Sequence, residues 1–112
     1  MYKKIFINNE ETTYRIYDNG QVMNEKTGNY YKGTIRNGYR WFDLTWKGKK
    51  YAKSQHRLIA EAFIDNPNGY EYVHHINNNR LDNNINNLAW VSASENNLKK
   101  NKGEKQKDHK DY

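Results

Sequence analysis

The fold is decided by residues 72–97, which run YVHHINNNRLDNNINNLAWVSASENN. Short apolar runs at residues 72–76 and 88–91 predict two strands, and the Asn-rich segment between them predicts the loop of a hairpin. Because neighbouring side chains on a strand point to opposite faces, His74 and His75 cannot do the same task unless the backbone bends there. The pair therefore suggests a metal ligand beside a proton acceptor.

Regular elements are predicted on both sides of this hairpin. Downstream, Ser92-Ala93-Ser94-Glu95 matches a capping box and predicts the start of a final helix that contains Asn96. Upstream, residues 54–63 predict a helix with Ser54 at its N-cap, because apolar side chains recur there at helical spacing. Residues 14–51 alternate short apolar runs with turn sequences, which predicts a small twisted antiparallel sheet. The run at residues 5–7 predicts an edge strand.

Composition places bounds on the class of protein. The 112 residues suffice for one domain, and the absence of Cys excludes a disulfide framework and a zinc site with Cys ligands. The sequence shows no apolar run of membrane-spanning length and no signal-peptide core, so we expect a soluble, cytoplasmic protein. The formal net charge of +6 favours an acidic partner such as nucleic acid. Part of that charge lies in residues 99–110, however, where a solvated, disordered tail explains it equally well.

The histidine pair and two asparagines form a candidate catalytic site. A nitrogen of His74 and the side-chain oxygen of Asn96 would leave most positions around a divalent ion open, which suits Mg²⁺ or Mn²⁺ better than a closed structural zinc. An unperturbed imidazole suits general-base work at neutral pH, which makes His75 the candidate base. Asn87, where the hairpin returns, is a candidate for fixing the orientation of that base.

These residues together resemble the HNH endonuclease family, in particular the small homing endonucleases of phages and introns. The matching residues are Val73, His74, His75, Ile76, Asn77, Asn79, Leu81, Asn83, Asn87, Leu88, Trp90, Val91, Ser94, Glu95 and Asn96. The resemblance covers roughly residues 14–100. It implies an α+β fold with a small N-terminal antiparallel β module, then a helix and a C-terminal ββα-metal motif. Residues 1–53, 54–100 and 101–112 would be the strand-rich DNA-contacting module, the nuclease core and a charged tail, forming one compact domain overall.

The resemblance also implies a reaction and a role for each site residue. His75 matches the histidine that activates water, and Asn87 matches the central asparagine, which orients that base and braces the hairpin. His74 and Asn96 match the metal ligands, although many members carry His at the position of Asn96. The implied reaction is phosphodiester hydrolysis in double-stranded DNA, with a homodimer as one route to cutting both strands. Candidate DNA contacts are Arg36, Arg40, Lys53, His56, Arg57 and Arg80.

Several alternatives remain open at the level of sequence. A non-catalytic DNA-binding module could retain the same fold, and an RNA-directed nuclease would carry the same residues. His56 could equally cap the helix or pack in the core, and Asn83 is expected to brace the loop rather than to serve catalysis. The target sequence is not readable, because specificity depends on groove contacts. Nicking and double-strand cleavage are not distinguished.

Overall fold

The computed structural model describes residues 1–94 of the chain. The elements that lie wholly within these residues are nine strands and one α-helix, with a short 3₁₀ turn at Ile85–Asn87. In chain order they are β1 (Tyr2–Ile7), β2 (Glu10–Tyr17), β3 (Val22–Asn24), β4 (Asn29–Tyr31), β5 (Thr34–Arg36), β6 (Tyr39–Trp46), β7 (Lys49–Ser54), α1 (Gln55–Phe63), β8 (Tyr72–His75) and β9 (Leu88–Val91).

The strands of the N-terminal half form two antiparallel sheets rather than the single sheet expected. One sheet has the order β1-β2-β3-β4 and the other has the order β5-β6-β7. The chain leaves the first sheet at Gly33, where φ is +71° and an added Cβ would lie 2.7 Å from the carbonyl oxygen of Trp41. Only glycine accepts both the positive φ and this close approach of backbone. The predicted edge strand is β1, which lies at the edge of the first sheet.

Two-residue turns connect the strands of the second sheet. Asn37 and Gly38 have φ values of 54° and 83°, and Lys47 and Gly48 have values of 52° and 80°. Two consecutive positive φ values match the twist of an antiparallel hairpin, which is why Asn-Gly is a common turn sequence. These turns set the register of β6, in which Phe42 and Leu44 face inward.

A single cluster of buried side chains joins the N-terminal half to the helix and the C-terminal hairpin. It contains Ile5, Ile7, Tyr14, Ile16, Val22, Phe42, Leu44, Leu58, Ile59, Ala60, Val73 and Leu88. The hydroxyl of Tyr14 donates to the carbonyl of Thr45 and accepts from its amide, which fastens the first sheet to the second. The hairpin strand β8 is thus held against a core that both sheets share.

The helix α1 begins where predicted, but its buried face is wider than the apolar pattern alone indicated. Ser54 occupies the N-cap with an extended backbone, and its side chain makes no capping hydrogen bond. The buried helical residues are His56, Leu58, Ile59 and Ala60. His56 precedes Ile59 and Ala60 by three and four positions, which places these three side chains on one face of the helix.

The predicted hairpin is present. Strands β8 and β9 pair in antiparallel fashion, with Val73 opposite Trp90 and His75 opposite Leu88. The α+β class is confirmed. Ala93 and Ser94 are helical, where the final helix was predicted to start, and the rest of that helix and the tail at residues 101–112 lie outside the described residues. Within residues 1–94, no helix has the length and apolar character needed to cross a membrane.

Candidate active site

The two adjacent histidines lie at the end of strand β8 and face opposite sides of the hairpin, as the sequence predicted. Val73 and His75 are both fully buried and share the face that packs on the rest of the protein. His74 points to the other face and is 7% exposed. The strand therefore separates the environment of the proposed metal ligand from that of the proposed base.

The ring of His75 is enclosed by side chains from three different elements. The ring of His56 on α1 lies 4.9 Å away between centroids, and the ring of Tyr39 on β6 lies 6.1 Å away. The side-chain oxygen of Asn83, in the Asn-rich loop, lies 2.6 Å from Nε2 of His75. His75 is consequently held by packing on its faces and by a hydrogen bond at one nitrogen.

The side chain of Asn83 continues this contact into a chain of amides. Its Nδ2 donates to Oε1 of Gln55 at 2.6 Å, and Nε2 of Gln55 donates to the carbonyl of Gly20 at 2.7 Å. Asn83 is 8% exposed, so its amide has little access to water. The prediction that Asn83 only braces the loop is corrected, because its side chain bonds to His75 and Gln55 instead.

Asn87 holds the loop closed. Its Nδ2 donates to Oδ1 of Asn77 at 2.9 Å and to the carbonyl of Asp82 at 2.8 Å, while its Oδ1 accepts from the backbone amide of Asn77 at 3.0 Å. Its backbone carbonyl accepts from the amide of Ile76. The bracing role inferred for Asn87 agrees with these contacts. Since both protons of its amide nitrogen are engaged in the loop, that nitrogen has none left to donate to His75.

The metal ligands can be assessed at one of their two positions. His74 offers an imidazole nitrogen at the end of a strand, and its Nδ1 is buried. Asn96 lies outside the described residues. Within residues 1–94, no group of three or more His, Asp or Glu side chains could hold a metal ion. His74 thus fits an open site of few protein ligands better than a closed cage.

Three of the candidate DNA contacts converge on the hairpin turn between β5 and β6. Arg36 pairs with Asp43 at 2.5 Å, and Arg40 donates to the carbonyl of Lys32 at 2.9 Å. Arg80 reaches from the Asn-rich loop to this turn, where it donates to the carbonyl of Asn37. Its guanidinium also lies over the ring of Tyr39, 5.0 Å from the centroid. These charges form a basic surface next to the hairpin that carries the histidines.

The remaining candidates are placed differently. Lys53 is half-buried on β7, opposite Phe42 of β6. Arg57 donates to the carbonyl of Glu71, lies 3.6 Å from the carboxylate of Glu61 and stacks over Trp90. These contacts place Arg57 among acidic and aromatic neighbours, away from the β5–β6 turn. The carboxylate of Glu61 and the carbonyl of Glu71 would compete with a phosphate for the guanidinium of Arg57.

The prediction that His56 contacts DNA is corrected. Its side chain is fully buried, with the ring 4.9 Å from both Tyr39 and His75 between centroids. In this structure His56 presents no surface to a phosphate and packs between Tyr39 and His75, so the alternative of core packing describes it. The helical spacing to Ile59 and Ala60 could have revealed this from sequence. Nothing in the local sequence marks Tyr39 or Gln55 as members of the site.

An antiparallel hairpin with adjacent histidines at the end of its first strand is the part of an HNH motif that residues 1–94 can show. The comparisons with known proteins agree. Residues 53–98 match the sequence model of the HNH endonuclease family. The resemblance inferred from the sequence is therefore confirmed.

Two curated relatives are uncharacterized HNH endonucleases of Acanthamoeba polyphaga mimivirus. One is 38% identical over 84 residues, covering 74% of this chain and 26% of the relative. The other is 39% identical over 88 residues, covering 74% of this chain and 22% of the relative. The chain thus spans about a quarter of the length of these relatives.

A solved structure is also similar, that of the HNH homing endonuclease I-HmuI, described for its DNA binding and cleavage. The match has a TM-score of 0.74 and 30% sequence identity, and it covers 88% of this chain and 56% of that chain. The similarity extends beyond the 46-residue HNH segment at residues 53–98 into the strand-rich N-terminal half.

Proposed function

We propose that the protein is a metal-dependent endonuclease of the homing type that hydrolyses phosphodiester bonds in double-stranded DNA. The observation that carries this proposal is the division of His74 and His75 between the two faces of β8, with the ring of His75 held by Asn83. The DNA bound and cleaved by the similar homing endonuclease supports the choice of substrate. The viral relatives favour the cytoplasm of a host cell as the place of action.

Each residue has a role in the proposed hydrolysis. His75 accepts a proton from a water molecule whose oxygen attacks the phosphorus, and the bond from phosphorus to the 3′ oxygen breaks. A divalent ion, Mg²⁺ or Mn²⁺, supplies positive charge at the phosphate and at the leaving oxygen when it is bound. His74 and Asn96 are the residues that would hold it. Arg36, Arg40 and Arg80 offer the charges that position the DNA backbone.

The burial of His75 supports a second candidate function. The side chain is fully buried, so a water molecule can reach it only if a neighbouring segment moves. The nuclease proposal requires DNA binding to produce that movement. If it does not, the protein is a DNA-binding module that retains the HNH fold without cleaving.

Supercoiled plasmid separates the two functions. The protein and its His75→Ala variant are incubated with the plasmid in Mg²⁺, in Mn²⁺ or in EDTA. Open-circular or linear product that needs the metal and is absent with His75→Ala supports the nuclease. A gel shift without product across several DNA sequences and both metals supports the binding module, and full activity of His75→Ala overturns the assignment of the base.

The same assay bears on the number of protomers. One site of this kind cuts one strand, so linear product requires either two protomers acting together or two successive nicks. We propose that a homodimer is the route if linear product appears without accumulation of open circles. A monomer on DNA that yields only open circles indicates a nicking enzyme.

A further inference from the structure

The hydrogen-bonded chain that begins at His75 ends at a group whose polarity is fixed. It runs from Nε2 of His75 to Asn83, then to Gln55, and finally to the backbone carbonyl of Gly20. Its three distances are 2.6, 2.6 and 2.7 Å. A carbonyl oxygen can only accept a hydrogen bond, whereas an amide side chain presents a donor at one end and an acceptor at the other.

The carbonyl of Gly20 therefore orients every member of the chain in turn. Gln55 must turn its NH₂ group toward that carbonyl, so its oxygen faces Asn83. Asn83 must then turn its NH₂ group toward Gln55, so its own oxygen faces His75. Reversing either amide would place two oxygens or two NH₂ groups at hydrogen-bond distance in a site with little access to water. An oxygen at Asn83 requires a proton on Nε2 of His75.

We infer that Asn83 and Gln55 are positioning residues that hold neutral His75 as the tautomer with its proton on Nε2, leaving Nδ1 as the basic nitrogen. The tautomer of a histidine is set by the hydrogen bond at the other nitrogen, which is the contact that Asn83 supplies. The consequence for catalysis rests on the proposed function, in which His75 accepts a proton. The assignment of the tautomer does not depend on the proposed function, because it follows from the hydrogen bonds alone.

Gly20 contributes to the hydrogen-bonded chain through its backbone carbonyl and through its lack of a side chain. Its φ is +92°, and a Cβ added there would lie 2.6 Å from Nε2 of Gln55, so a larger residue would push that amide away from its acceptor. Gly28 provides a matched control, because its φ is +74° and a Cβ added there meets nothing within 4 Å. Gly20→Ala and Gly28→Ala share the strain of a positive φ, but only Gly20→Ala displaces Gln55.

The direct test is nitrogen NMR of the full chain with ¹⁵N-labelled histidine, near pH 8, where imidazoles are mostly neutral. The resonances of His75 are assigned by their absence in His75→Ala. We expect Nε2 to have the shift of a protonated, pyrrole-type nitrogen and Nδ1 that of an unprotonated, pyridine-type nitrogen. The reverse assignment in the unaltered protein overturns the inference without recourse to any variant.

The variants separate positioning from simple structural support. Asn83→Asp can no longer donate to Gln55 but retains an acceptor for Nε2, so it should keep the proton on Nε2. Asn83→Leu and Gly20→Ala should instead give a mixture of the two tautomers. In the plasmid assay, the two latter variants should lower the cleavage rate about 10- to 100-fold, the range for lost partners of functional histidines. Their affinity for DNA should not change, and Gly28→Ala should match the unaltered protein in both measurements.

The two proposals fail in different ways. If no variant and no metal gives cleavage while Nε2 carries the proton, the nuclease proposal fails and the positioning inference stands. If Asn83→Leu and Gly20→Ala keep a single Nε2–H tautomer, the amide chain does not set the tautomer and the inference fails. If Asn83→Leu does not fold, the comparison of Gly20→Ala with its control Gly28→Ala still shows whether the amide chain sets the tautomer of His75.

Discussion

Replacing Asn87 by Ala removes three hydrogen bonds from the loop between β8 and β9. The side chain is 9% exposed, and its bonds reach the side chain and backbone amide of Asn77 and the carbonyl of Asp82. At about 1 kcal/mol of net stability for each bond, the loss is about 3 kcal/mol. The partners in the exposed part of the loop can rebond to water, which brings the expected loss to about 2–3 kcal/mol.

The assay is urea unfolding followed by Trp fluorescence and far-ultraviolet circular dichroism. Asn86→Ala is the matched control, because Asn86 lies in the same 3₁₀ turn but is exposed. It should change the free energy of unfolding by less than about 0.5 kcal/mol. Equal effects of Asn86→Ala and Asn87→Ala would refute the reasoning, since the bonds of Asn87 would then contribute nothing measurable.

Asn87→Asp gives an additional check on the direction of these bonds. It retains an acceptor for the amide of Asn77 but replaces two donated bonds by contacts between oxygens. It should therefore destabilise the protein at neutral pH by at least as much as Asn87→Ala. A variant as stable as the unaltered protein would show that Asn87 does not donate in the loop.

The core, one ion-pair cluster and the basic surface give three smaller predictions. Leu44 is fully buried, so Leu44→Ala should cost about 2–5 kcal/mol in urea unfolding, and a smaller loss would show that the core collapses around the gap. Hydrogen bonds from Lys4 and Arg15 lower the pKa of the Glu25 carboxyl from 4.5. The ionised carboxylate therefore stabilises the folded protein at a pH above the pKa of the unfolded state, and this stabilisation disappears as the pH falls through the lower pKa of the folded state. In thermal unfolding, Glu25→Gln should be less stable than the unaltered protein at pH 7 and equally stable in strong acid. If the protein neutralises six phosphates of duplex DNA, a plot of log Kd against the logarithm of the salt concentration should have a slope of magnitude roughly 5. If Lys53 makes one of these contacts, Lys53→Ala should reduce that magnitude by about 0.9.

The elements with strong local patterns were predictable from the sequence. The hairpin of β8 and β9 is bounded by an Asn-rich loop, and α1 shows apolar side chains at helical spacing, so both were placed within a residue or two. The division of the N-terminal strands into two sheets was not predictable. It depends on the close approach of Gly33 to the backbone of Trp41, which lies eight positions further along the chain.

The candidate site was only partly predictable. The alternation of a strand was enough to separate His74 from His75. Asn87 was the residue predicted to orient His75, from its place at the return of the hairpin and from the resemblance, whereas Asn83 makes the hydrogen bond at Nε2. Local sequence cannot distinguish Asn83 from the other asparagines of the loop, because its second partner, Gln55, comes from a distant helix.

The contacts of Arg80 and Gln55 bear on whether the HNH segment can be transplanted. Arg80 is anchored on the carbonyl of Asn37, and Gln55 on that of Gly20, and both acceptors belong to the N-terminal half. Grafting residues 54–94 onto another scaffold would leave these side chains without their acceptors and the ring of His75 without Tyr39 beside it. The HNH segment therefore depends on contacts from the strand-rich half, and a fusion protein built from residues 54–94 should include that half as well.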